Sequence, residues 1–156
     1  MPDPDDVMIR FGHALGLSRR GERQEARRLF AELWDQVGSE GDPFHRVSLA
    51  HAMADVQDDP RSELVWDLRA LEAAASVTDE RVAQAGVGGP VGGFFPSLHL
   101  NLGEDYRNLG DLDAARRHLE LGRVATAALA DDGYGWMIKR GLAALAERLA
   151  ADARVA

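Results

Sequence analysis

Apolar residues recur along this chain at helical spacing, in paired runs separated by turn residues. In 96–122, Leu98, Leu102 and Leu109 form one stripe, Gly110 and Asp111 break it, and Leu112, Ala115 and Leu119 form a second. The pattern predicts a helical hairpin. A first hairpin is predicted nearer the start: a helix from Asp5 or Asp6, whose acidic side chains suit a helix N-terminus, to about Arg19, a turn at Gly21, and a helix from Glu22 to Val37. Ala26, Phe30, Leu33 and Val37 share one face of that second helix. Ala14, Leu17, Gly21, Ala26, Phe30 and Leu33 each lie 89 residues before Gly103, Tyr106, Gly110, Ala115, Leu119 and Gly122, so the two hairpins share one register.

Between them, Asp42–Pro43 and Asp59–Pro60 each place a side-chain cap before the residue best tolerated in a first helical turn. They predict helices from 43 to about Gln57 and from 60 to about Val77, the latter carrying Leu64, Leu68, Leu71 and Ala75 on one face. Asp131 and Asp132 open a last helix, over 132–150, with Ile138, Leu142, Leu145 and Leu149 as its apolar stripe and a tail that frays after Ala150. The segment TDERVAQAGVGGPVGGFF, residues 78–95, interrupts this regularity. Its first half, capped by Thr78, either forms a helical turn or extends the preceding helix, while its glycine-rich half has no helical pattern.

Gly103, Tyr106, Gly110, Ala115, Leu119 and Gly122 fit the spacing of small, aromatic and large apolar residues in a tetratricopeptide repeat, and the chain resembles that family. The blocks LAHAMADVQDDP and FFPSLHLNLGEDYRNLGD resemble those of short bacterial tetratricopeptide proteins. The resemblance implies an all-α fold: a right-handed stack of three hairpins (about 5–38, 42–77 and 95–128) with a glycine-rich insertion at 78–95 and a capping helix at 132–150, forming one domain over 1–156. The second repeat is degenerate, with two extra turn residues around Gln57 to Pro60, and the third begins late for a period of about 34 residues. The family's pattern identifies a fold and supplies no chemistry.

Composition narrows the function. A formal net charge of -8 argues against general affinity for nucleic acid or an anionic membrane, and the Arg19–Arg28 cluster is interleaved with Glu22 and Glu25. The absence of cysteine removes disulfides, thiolate nucleophiles and Cys-ligated metals. The acidic start, MPDPDDVMIR, has no secretory pattern, so a cytoplasmic protein is expected. A single lysine, Lys139, among abundant Ala, Gly and Arg suggests a bacterial, GC-rich coding sequence.

Few residues suggest catalysis. His51 and Asp55 are one helical turn apart and, with His99, suit a metal-assisted hydrolase, against which stands a simple hydrogen-bonded pair. Asp55, Asp58, Asp59 and Glu63 would serve acid–base chemistry if they raised one another's pKa, but capping already accounts for Asp59. GVGGPVGG lacks the Lys and Ser/Thr of a phosphate-binding loop. Phe94 and Phe95 are either anchors for this loop or plain packing residues, and Trp66, off the leucine stripe, either faces a partner or packs in the core.

No cofactor and no metal are expected. In tetratricopeptide stacks the first helix of each hairpin lines a concave face. The resemblance therefore implies a groove including Ser48, His51 and Asp55 on one helix and Ser97, Asn101, Glu104, Arg107 and Asn108 on another. Asn101 matches one position of the carboxylate clamp found in some members of the family, while Ser48 and Gly12 stand where a second asparagine would. The reading is a non-catalytic module that binds a peptide or helix of a partner protein in this groove; the alternatives are a homo-oligomeric scaffold and the His51/Asp55 hydrolase.

Overall fold

The computed structural model describes residues 4–84 and 91–155. Among the described residues there are eight α-helices and no strand: α1 (Pro4–Arg19), α2 (Arg23–Val37), α3 (Pro43–Asp55), α4 (Pro60–Ala74), α5 (Asp79–Gln84), α6 (Phe95–Asn108), α7 (Leu112–Ala125) and α8 (Gly133–Val155). The chain divides into two compact units, Met1–Ser76 and Val77–Ala156. No helix among the described residues is long and apolar enough to cross a membrane.

The starts of α3, α4, α5, α7 and α8 are built by side chains that accept otherwise orphaned backbone N–H groups. Asp42 accepts from Phe44 N at 2.9 Å, Asp59 from Arg61 N at 3.3 Å, Asp111 from Ala114 N at 3.1 Å and Asp132 from Gly135 N at 2.8 Å. Thr78 Oγ1 accepts from Arg81 N at 3.1 Å and opens α5, so the first half of the 78–95 segment is a helix of its own. Val91–Phe94 form a 3₁₀ turn leading into α6. The rest of the glycine-rich run, residues 85–90, lies outside the described residues.

Two turns repeat in detail. Gly21 and Gly110 both take φ +84°, a left-handed conformation in which a Cβ is strained. Gly21 N bonds Ser18 O and Glu22 N bonds Leu17 O, each at 3.0 Å; Gly110 N bonds Arg107 O at 3.0 Å and Asp111 N bonds Tyr106 O at 2.9 Å. These are the same bonds displaced by 89 residues, which is the register that the apolar pattern predicts.

In the first unit, α3 packs against α2 and α4. Ala14, Ala26, Phe30 and Val56 are fully buried there, and Leu33, Leu49 and Met53 nearly so. Burying a side chain such as Phe30 contributes about 1.5–3 kcal/mol. The α4 stripe departs from expectation: Leu68 is 38% exposed and Ala75 is exposed, whereas Asp67, Ala70, Ala73 and Ala74 are buried. Small alanines allow close helix approach, so they take the inner face while the longer leucines sit at its margins. Trp66 packs on the core with its ring edge-on to Trp34, 5.1 Å between centroids.

In the second unit, α6 and α7 pair closely and α8 lies across both. Ile138, Leu142, Leu145 and Leu149 of α8 are buried with Ala115 and Leu119, as their spacing predicts. Gly103 and Gly122 explain the close approach. A Cβ on Gly103 would lie 2.5 Å from Leu145 Cδ2, and one on Gly122 would lie 2.9 Å from Leu142 Cδ2. The helix extends to Val155, five residues beyond the expected end.

Candidate functional site

The polar residues expected to line a groove fall on α3 in the first unit and α6 in the second. On α3, Phe44, Val47 and Ala54 are buried, Ser48 and His51 are half-buried, and Asp55 is exposed. Ser48 Oγ donates to Phe44 O at 2.9 Å, back-bonding to its own helix, and Asp55 O accepts from Arg23 Nη1 at 3.0 Å. His51 and Asp55 belong to no group of three candidate metal ligands among the described residues.

On α6, Ser97 Oγ donates to Phe94 O at 3.0 Å, Asn101 is half-buried and Asn108 is exposed. Glu104 and Arg107 face α8. Arg148 donates to Glu104, Arg107 Nε donates to Asp152 Oδ2 at 2.8 Å, and Arg107 Nη1 lies 4.0 Å from Glu104 Oε2. The polar ridge of α6 is therefore a charged seam between two helices of one unit. Sequence alone could not show this, because these partners lie 44 and 45 residues away.

The acidic turn after α3 is also structural. Arg23 and Arg27, one helical turn apart on α2, reach the carbonyls that α3 leaves unpaired at its end: Arg23 Nη2 donates to Gln57 O at 3.1 Å and Arg27 Nη2 to Val56 O at 2.7 Å. Both also clasp Asp58, at 3.2 and 2.9 Å. Hydrogen bonds from Arg27 and then Arg23 hold the Asp58 carboxyl below its ordinary range, the opposite of what a general acid needs.

One polar cluster was not legible as a unit. His99 of α6 and His118 of α7 face each other with Nδ1 atoms 3.1 Å apart, so one ring nitrogen donates and the other accepts. Phe95 stacks on His99 and Tyr106 on His118, at 6.4 and 5.4 Å between centroids. Burial lowers the pKa of both imidazoles, with a further push from His118 on His99 and from Arg117 on His118. The signal available beforehand was the facing of two paired helices, but the pairing phase had to be known to bring residues 19 apart together. Burial of Asp67 and of Asp105, each 1% exposed, was likewise missed, because carboxylates at helical spacing read as solvated.

In the second unit, α7 and α8 leave an apolar groove of about 380 Å³ between them. Leu119 and Leu149 form its floor, Ala146, Ala150 and Ala153 one wall, and Arg116, Glu120 and Arg123 a charged rim. Away from this groove, the first turn of α8 exposes Tyr134, Trp136 and Met137 by about half, with Trp136 Nε1 donating to Asp131 Oδ1 at 2.6 Å. Set against protein-family models, curated proteins and solved structures, the chain matches none of them.

Proposed function

We propose that this chain is a non-catalytic, tetratricopeptide-like helical-repeat module that docks an amphipathic helix or peptide of a partner protein. The observation that carries the reading is the α7–α8 groove, with an apolar floor, a wall of alanines and an arginine-bearing rim. Small wall residues leave room for the large apolar side chains that a partner helix presents every three or four residues, and the rim supplies polar contacts at the edge. Two of the carboxylates that suggested acid–base chemistry are used structurally, which fits the same reading: Asp59 caps α4, and Asp58 is clasped by Arg23 and Arg27.

The test is capture of a cross-linked partner by the full chain and by two variants. Ala150→Arg with Ala153→Arg fills the groove with charge at two exposed positions and is expected to abolish capture. Asn101→Ala with Arg107→Ala probes the α6 face instead. Capture unchanged by both pairs would overturn the reading.

A second reading, a homo-oligomeric scaffold, draws on the exposed Tyr134, Trp136 and Met137, residue types enriched at interfaces. Light scattering at micromolar concentration tests it, a dimer mass supporting it and a monomer counting against it.

A further inference from the structure

The connection between α2 and α3 is fixed by several backbone bonds. Gly38, at φ +73°, donates its N–H to Trp34 O at 3.0 Å, Gly41 N returns to Gly38 O at 3.2 Å, and Arg46 Nη1 donates to the same carbonyl at 2.5 Å. Gly41 passes so near Val37 that a Cβ there would lie 2.3 Å from the valine side chain and backbone. This wall and α4 bound a half-open cavity of about 170 Å³, lined chiefly by polar groups of Ser39, Arg46, Arg69, Glu72 and Ser76. At the volume a water occupies in the liquid, that is room for on the order of five waters.

Both arginines are seated on tryptophan. Arg46 Cζ lies 4.2 Å from the Trp34 ring centroid; Arg69 Cζ lies 4.4 Å from that of Trp66 and 6.0 Å from that of Trp34. Stacking fixes a guanidinium plane while leaving its N–H edges available. Five other arginines of this unit, Arg10, Arg20, Arg23, Arg27 and Arg28, are paired with carboxylates. No carboxylate bonds Arg46 or Arg69 among the described residues, although Glu72 lines the same cavity. Two like charges held on one pair of rings repel each other, and an anion between them relieves that repulsion.

We propose that this cavity binds one carboxylate group, received by the guanidinium edges of Arg46 and Arg69 with the Ser39 and Ser76 hydroxyls beside them. Two guanidiniums and the Glu72 carboxylate leave a formal charge of about +1, which a singly charged carboxylate balances and a phosphate, near -2, exceeds. The carboxylate comes either from an acidic side chain of a polypeptide or from a small free acid. None of the lining residues belongs to the α7–α8 groove, so the two proposals fail independently.

Calorimetry on the full chain, with tryptophan fluorescence in parallel, tests it using acetate, an N-acetylated and amidated glutamate peptide, its glutamine counterpart, and inorganic phosphate. The expected result is saturable millimolar binding of the glutamate peptide, weakened by salt, with none of the glutamine peptide. Peptide binding well above acetate assigns a polypeptide source, and equal binding assigns the carboxylate alone. Arg69→Gln and Arg46→Gln should each weaken binding by roughly tenfold, the scale of one charge-assisted hydrogen bond, and Glu72→Gln should strengthen it. If Arg46→Gln unfolds the α2–α3 turn, as circular dichroism would report, Arg69→Gln decides alone, since it leaves the Gly38 bond intact. No saturable binding of either carboxylate, binding indifferent to Arg69→Gln, or phosphate binding more tightly than both would overturn the proposal.

Discussion

The hairpins α1–α2 and α6–α7 share a turn, a register and a pattern of buried positions, yet their centres are filled differently. In the first, Ala14, Phe30 and Leu33 occupy three of the shared positions, and all three are buried. In the second, the same positions hold Gly103, Leu119 and Gly122. The volume missing from the second hairpin is supplied by α8, which sends Leu145 toward Gly103 and Leu142 toward Gly122. Both hairpins receive a third helix, α3 bringing Leu49 and Met53 to the first and α8 its leucines to the second, but only the second makes room for it with glycines. The repeat pattern therefore fixes where small and large residues alternate, and substitutions within it decide which neighbour fills the space.

The largest expected effect is on the first hairpin. Phe30→Ala should cost about 3–5 kcal/mol, because a fully buried aromatic leaves a cavity that packed helices close only in part. Urea denaturation monitored by Trp34 and Trp66, in a Trp136→Phe background, measures it within the first unit. A loss below about 1 kcal/mol would mean that the hairpin's centre does not depend on its own side chains.

Gly122→Leu places in the second hairpin the residue that the first carries at Leu33. It should cost about 1–3 kcal/mol by overpacking, since its Cβ would lie 2.9 Å from Leu142 and 3.3 Å from His99. Pairing it with Leu142→Ala should recover part of that loss. Additive costs in the double-mutant cycle would break the idea that α8 supplies the missing volume.

The smallest effect concerns acidity and belongs to the second hairpin alone, where His99 meets His118. Both folded-state pKa values are depressed below the ordinary 6.5, so below that pH the unfolded chain takes up protons that the folded pair resists. Stability from this pair is complete above pH 6.5 and falls as pH drops through and below it. His118→Phe should flatten the slope of unfolding free energy against pH in that range. An unchanged slope would show that the pair does not titrate as its packing requires.

Much of the fold was open to reading from particular residues. Asp42, Asp59 and Thr78 cap helices because their side chains satisfy donors only a few positions away. Gly21 and Gly110 mark turns because few other residues tolerate φ +84°. The candidate sites were less legible. Leu64 and Leu68 gave a plausible stripe, but helix rotation on α3 was set by Ala70, Ala73 and Ala74. The α6 residues Glu104 and Arg107 presented a polar face, and only the position of α8 shows that Arg148 and Asp152 occupy it.

The sequence by itself determined the local elements: which segments form helices, where several of them are capped, where the chain reverses, and the 89-residue correspondence of two hairpins. Those features depend on contacts within a few residues, or on periodicities that any helix displays. Tertiary structure decided what the polar and small residues do. Whether a glycine meets solvent or Leu145, whether Arg107 is a free ligand or half of a seam, and whether Arg46 and Arg69 share a cavity depend on the phase and closeness of helices distant in the chain. Helix phase is set by the summed packing of many side chains, and no short motif carries it.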